Sequence, residues 1–231
     1  MGQMLRAVAP ADSPAIVAAM LPPPLIGFTQ TVGPLLDLAG LAVFAASGAL
    51  AAARRGQTMV TLAFFALSTG VGGGTVRDLL IGAPVFWLQD SRAAATCLVI
   101  AFLIYVTPER WWRGTALDWF DAVGLAAYAV YGAAKALSYG VPVVPAALMG
   151  VMSACVGGII RDVLAGEPSI IMRPEIYVTA AALSAGLYVA LVTIGLPGEV
   201  AAGVGAAAGF ALRGAAIRWK LALPAYRAPD R

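Results

Sequence analysis

Shifted by 84 residues, this chain lies on itself: Asp37–Pro84 aligns with Asp121–Pro168 without a gap. Asp37, Gly40, Leu41, Gly48, Gly56, Gly73, Gly74, Arg77, Asp78, Gly82 and Pro84 all meet identical residues, Phe44 meets Tyr128, and Thr69 meets Ser153. The matches sit in glycine, proline and charge, whereas two unrelated apolar helices would match at Leu, Ala and Val. Any fold for this sequence must therefore place one unit twice.

The unit is apolar. Hydrophobic residues make up 61% of the 231 positions and charged residues 12%, against roughly 45–50% and 25% in soluble domains. A bilayer-spanning helix needs about 20 mostly apolar residues. Seven segments qualify: Leu35–Ala53, Met59–Ile81, Arg92–Val106, Asp121–Ser138, Val143–Ala165, Ile176–Ile194 and Glu199–Ile217. Each copy holds three. An odd number of crossings brings the second copy into the membrane from the other side, the inverted-repeat plan of many permeation proteins. The expected architecture is an all-α polytopic membrane protein. It has an irregular leader (1–34, broken by Pro22, Pro23 and Pro24), repeat one (35–118), an inverted repeat two (119–195), a seventh span (196–220) and a cytoplasmic tail (221–231).

Basic residues set the expected orientation. Arg6 and Arg92 fall on one side. Arg54, Arg55, Arg110, Arg113, Arg173, Arg213, Arg218, Lys220, Arg227 and Arg231 fall on the other. That bias places the N-terminus outside and the C-terminus in the cytoplasm of the cell (inner) membrane. Trp111, Trp112, Trp119 and Trp219 form an aromatic belt on the cytoplasmic side.

The chain has no histidine, which removes the usual general base and the commonest metal ligand. Cys97 and Cys155 sit within apolar runs and read as small buried hydrophobes. Paired catalytic carboxylates, a nucleophile–base pair and a metal cluster are all missing from the pattern, so neither an enzyme, a cofactor nor a metal is expected. Nothing points to nucleic acid.

Span two contains Gly70, Gly72, Gly73 and Gly74. Each glycine costs a helix roughly 1 kcal/mol relative to alanine, so the run reads either as a hinge beside a water-filled path or as close packing through small residues. Span five keeps Gly157 and Gly158 but has Val156 in place of Gly72, which predicts a stiffer hinge. Thr69, Gly73 and Arg77 fall at i, i+4 and i+8 and share a helix face, as do Ser153, Gly157 and Arg161. Arginine within a membrane faces a bundle interior or water. Depth predicts two structural ion pairs, Asp37–Arg77 and Asp121–Arg161. Asp78 and Asp162, as helix neighbours of the arginines, are expected to point elsewhere, to cap, to pair across the axis or to line the path. Lys135 has Ala51 as its mate and reads either as snorkelling to the interface or as a charge facing a pore.

The doubled motif, Asp-x-x-Gly-Leu followed by Gly-Gly-x-x-Arg-Asp-x-Leu-x-Gly-x-Pro, resembles the bacterial branch of the TRIC (trimeric intracellular cation) channels. The same repeat has also carried a glycine transporter label. The resemblance covers about Asp37–Ile194. It implies seven spans, a homotrimer in membrane lipid with one pore per subunit, and conduction of monovalent cations, K+ over Na+. It also implies glycine kinks that shape and gate the pore, here at Gly72–Gly74 and Gly157–Gly158. The Lys-Glu-Val triplet of the animal members is absent, so their lipid-head-group binding does not carry over. Inverted repeats suit carriers as well as channels, and a secondary transporter of a small solute such as glycine is the alternative.

Overall fold

The computed structural model describes residues 33–112, 114–172 and 174–224. Seven long helices occupy them: α1 (Gly33–Ala53), α2 (Met59–Leu80), α3 (Ser91–Val106), α4 (Ala116–Ser138), α5 (Val143–Leu164), α6 (Val178–Thr193) and α7 (Gly198–Trp219). They fall on the seven predicted segments; α4 begins five residues early, at Ala116 rather than Asp121. The predicted leader lies outside the described residues except for Gly33 and Pro34, which open α1. Three helices, α2, α5 and α7, are each long and apolar enough to cross a membrane by themselves. α3 and α6 have 16 residues each, which at about 1.5 Å per residue gives roughly 24 Å.

The motif explains why α2 and α5 stop where they do. Gly82 and Gly166 adopt φ of 69° and 66°, a left-handed conformation that costs glycine little. The amides of Ala83 and Glu167 then return to the carbonyls of Asp78 and Asp162. Pro84 and Pro168 cannot continue a helix. A short turn follows each: one helical turn at Phe86–Gln89 and a 3-10 turn at Ile170–Met172.

α1, α2 and α3 pack on one another, and so do α4, α5 and α6. The two triplets meet through α1 against α4 and α2 against α5, while α7 lies on α4 and α6. The contacts between triplets are exchanged. A Cβ on Gly40 would strike the Tyr128 ring at 2.5 Å, and one on Gly124 would meet the Phe44 ring at 3.1 Å. A Cβ on Gly73 would strike the Ser153 carbonyl, and one on Gly157 the Thr69 carbonyl at 2.8 Å. Residues 73 with 153 and 69 with 157 keep a constant sum, so α2 and α5 run antiparallel, and α1 and α4 do so by the same reasoning. The crossing of α2 and α5 centres on Val71 and Cys155, both buried.

Both glycine runs are helical throughout, and each glycine of α2 is accounted for by a close neighbour: Cys97 Sγ at Gly70, Ile160 at Gly72, Ser153 at Gly73 and Phe86 at Gly74. Close approach of backbones is what small residues contribute where water supplies no drive to associate. The hydroxyl–glycine stripes of α2 and α5 thus lie against each other. Gly73→Ala should cost about 1–3 kcal/mol by overpacking and lower the unfolding temperature in detergent. Gly186→Ala, where an added Cβ meets nothing within 4 Å, should leave it unchanged or raised.

Candidate functional site: two buried arginine clusters

Arg77 and Arg161 each lie six residues beyond the α2–α5 crossing point, at opposite ends of the pair. At about 1.5 Å per residue they stand roughly 18 Å apart along the helices. Both are buried, 1% and 2% exposed. A buried charge must find partners, and the motif supplies one beside each arginine. Arg77 Nε donates to Asp78 Oδ1 at 2.8 Å, and Arg161 Nε donates to Asp162 Oδ1 at 2.9 Å. This corrects the expectation that Asp78 and Asp162 point away. Helix neighbours leave the axis in different directions at Cβ, but arginine is long enough to fold its Nε back over the next carboxylate. The other oxygen of each aspartate accepts a backbone amide eight residues on, Phe86 N at 3.0 Å and Ile170 N at 2.7 Å. One carboxylate therefore holds both the arginine and the turn that closes its helix.

Beyond this shared core the ends differ. Arg161 Nη1 lies 2.5 Å from Asp121 Oδ1 and 2.5 Å from Ser47 Oγ. The predicted Asp121–Arg161 pair is present, with α1 contributing a hydroxyl from the other repeat. The predicted Asp37–Arg77 pair is not made. Among the described residues, Asp37 Oδ1, Arg77 Nη1 and Arg77 Nη2 are buried with no hydrogen-bond partner. Arg77 instead lies over the rings of Tyr131 (5.0 Å) and Phe86 (6.0 Å), and Lys135 Nζ sits 2.8 Å from Asp78 Oδ1. The Arg77 guanidinium is turned towards Asp78 and the two rings rather than towards Asp37, and two cations share the Asp78 carboxylate. The mate of Lys135, Ala51, brings no second cation to the other end. Lys135, at 16% side-chain exposure, is an interhelix partner rather than a snorkelling charge.

Ser47 and Tyr131 are repeat mates, and each faces the arginine of the opposite copy. Both are polar residues in apolar helices at the same register, so the alignment of the two copies already carries this signal. Arg213, which the charge bias assigns to the cytoplasmic side, turns inward. It is 1% exposed on α7 and paired with Glu175 at 2.8 Å. Of the hydroxyls in the stripes, Ser153 Oγ donates to the Met149 carbonyl at 2.7 Å, while Thr69 Oγ1 is buried without a hydrogen-bond partner among the described residues.

Each cluster adjoins a cavity. One of about 210 Å³ is lined by Asp37, Leu41, Phe86, Asp90, Arg92, Ala93 and Tyr131. One of about 110 Å³ is lined by Ala51, Arg54, Asp118, Arg161, Asp162, Ala165 and Ile170. At the first mouth, Asp90 caps α3. Side-chain and backbone hydrogen bonds from Arg92 hold its carboxyl below the usual carboxylate range. The two cavities lie beside opposite ends of the α2–α5 contact, each next to one arginine cluster. Asp121→Asn breaks a made, buried pair and should cost about 3–5 kcal/mol. Asp37→Asn removes no ion pair and should cost under about 1 kcal/mol. Thermal unfolding of the two variants side by side checks the difference.

The family model for glycine transporters matches twice, over residues 34–109 and 118–193. A UPF0126 membrane protein of Vibrio cholerae is 37% identical, over 83% of this chain and 82% of its own length. The UPF0126 inner membrane protein YadS of Escherichia coli K12 is 38% identical, over 83% and 94%. Among solved structures, the TRIC trimeric intracellular cation channel orthologue from Rhodobacter sphaeroides is 45% identical with a TM-score of 0.77, covering 83% of this chain and all (100%) of that one. A prokaryotic TRIC channel crystallised in 0.5 M KCl is 28% identical with a TM-score of 0.74, over 82% and 97%. The chain belongs to the glycine transporter family, within the branch of bacterial TRIC channels that its doubled motif resembles.

Proposed function

We propose that this chain is a multi-pass inner-membrane channel for monovalent cations, favouring potassium, whose path runs between α2 and α5 past the two arginine clusters. The observation that carries the reading is the antiparallel contact of α2 with α5 through Gly73 and Gly157, with a buried arginine at each end. Arginines inside a membrane bundle face its interior, pair with carboxylates there, and mark ion or substrate pathways. The relatives are named membrane and inner membrane proteins, and solved neighbours are named cation channels.

In the full reading, all seven helices cross the bilayer and the two triplets are related by a pseudo-two-fold axis in its plane. The N-terminus is outside and the C-terminus cytoplasmic. Asp37 and Arg77 lie in the outer half and Asp121 and Arg161 in the inner half. Three chains assemble, with one pore in each. The inner end is shut by the Asp121–Arg161–Ser47 contacts, and the outer end, where Asp37 stands free of Arg77, is the looser one. Gating bends α2 and α5 at Gly70, Gly72, Gly73, Gly74, Gly157 and Gly158, so that the close contact at Gly73 and Gly157 parts. Thr69, Ser153, Asp78, Asp162 and Lys135 border the widened path.

One observation favours a carrier instead. The two ends are alike in sequence but unlike in pairing, one made and one open, which is the asymmetry an alternating-access transporter exchanges between its states. Purified protein in a planar bilayer under a potassium gradient separates the two. Discrete current steps with a reversal potential near that of potassium are expected. Silence there, together with saturable glycine uptake into liposomes, overturns the channel in favour of the carrier.

A further inference from the structure

α7 lies outside the repeat, so whatever it touches breaks the equivalence of the two ends. Its most buried large side chain is Arg213. The guanidinium reaches three consecutive residues that lead into α6. Nη2 is 2.8 Å from the Glu175 carboxylate, Nη1 donates to the Ile176 carbonyl at 3.4 Å, and the ring of Tyr177 lies 5.2 Å from Cζ. Tyr177 is 1% exposed. Its hydroxyl and Asp121 both flank the α-carbon of Gly158: a Cβ there would be 2.6 Å from the hydroxyl and 3.4 Å from Asp121 Oδ1. Asp121 is the carboxylate that holds Arg161. Among the described residues the Tyr177 hydroxyl makes no hydrogen bond; Tyr177 carries the influence of α7 to the second-repeat cluster by its position beside Gly158 and Asp121.

The chain that follows α7 grips the same segment. Lys220 turns back at φ 53°, Leu223 N donates to the Pro174 carbonyl at 2.8 Å, and Ala222 forms an isolated antiparallel bridge with Glu175. Among the described residues the first-repeat cluster has nothing equivalent. Position 93, the mate of Tyr177, is Ala93, and α7 packs on α4 and α6.

We infer that Arg213 is a positioning residue for the Asp121–Arg161 gate: by fixing Tyr177 it sets Asp121, and so couples the residues after α7 to one end of the path. This rests on reading that cluster as a constriction. Its test uses the full chain in liposomes and bilayers, with Cys97→Ala and Cys155→Ala as background. Ala165→Cys reports on the second-repeat cavity and Ala93→Cys on the first, through the rate of labelling by a water-soluble thiol reagent.

Arg213→Gln should speed labelling at Ala165→Cys, and raise open probability, by about fivefold or more, the lower end for coupling between sites. Labelling at Ala93→Cys and unitary conductance should not change. Arg213→Lys should restore most of the wild-type behaviour, and the exchange Arg213→Glu with Glu175→Arg part of it. Tyr177→Phe, which keeps the ring, should act in the same direction as Arg213→Gln and serves as the test if the latter does not fold. Equal acceleration at both reporters, no change at either, or an altered unitary conductance would overturn the inference. If the wild-type protein passes no current, the channel reading fails while the labelling arm still decides this one.

Discussion

Everything in this molecule depends on keeping two guanidinium groups charged inside an apolar bundle. The Born cost of burying an ion is offset only by good geometry and by satisfaction of the remaining donors. Here the offset is local first: Asp78 and Asp162 follow their arginines in sequence and need no tertiary contact to meet them. Because the second carboxylate oxygen also takes the amide of the following turn, helix end, loop and charge are one cooperative unit. The Arg-Asp-x-Leu-x-Gly-x-Pro string encodes that unit almost completely. The acidic residue binds, the glycine takes the left-handed turn and the proline ends the helix.

The second dependency is closeness. Arg161 finds Ser47, and Arg77 finds Tyr131, only because glycines let the two triplets approach backbone to backbone. At Gly40, Gly73, Gly124 and Gly157 the other copy presents a carbonyl or an aromatic ring, and at Gly72 the Ile160 side chain. Polar satisfaction and packing are thus the same requirement seen twice. Tyr128 takes part in both, edge-on to Phe44 at 5.3 Å and filling the gap at Gly40.

Much of this was legible in the sequence, and the misses have physical causes. Helix positions followed from hydropathy, and the face-to-face stripes from period and repeat. The Asp121–Arg161 pair followed from depth. Depth also predicted Asp37–Arg77, and there it failed, because the Arg77 guanidinium is held by Asp78 and lies over Tyr131 and Phe86, while Lys135 joins it on Asp78. No one-dimensional argument weighs two cations against one anion. The rule that adjacent helix residues diverge failed at Asp78 and Asp162, since it describes where Cβ points and not how far arginine reaches. Arg213 lies within the seventh predicted span, four residues before its end, where a basic residue reads as reaching the cytoplasmic side; only its partners in the fold show that it turns inward.

Halves that supply each other's acceptors and fill each other's glycine gaps have the contacts of a homodimer written into one polypeptide. In a true homodimer every substitution appears at both interfaces at once, so neither end can change alone. Joining the copies in one chain removes that tie. Lys135 opposite Ala51, Val156 opposite Gly72, and an extra helix seated against only one triplet are three changes that a symmetric pair of identical subunits could never have made separately. The covalent link is what allows the two ends of the paired helices to differ.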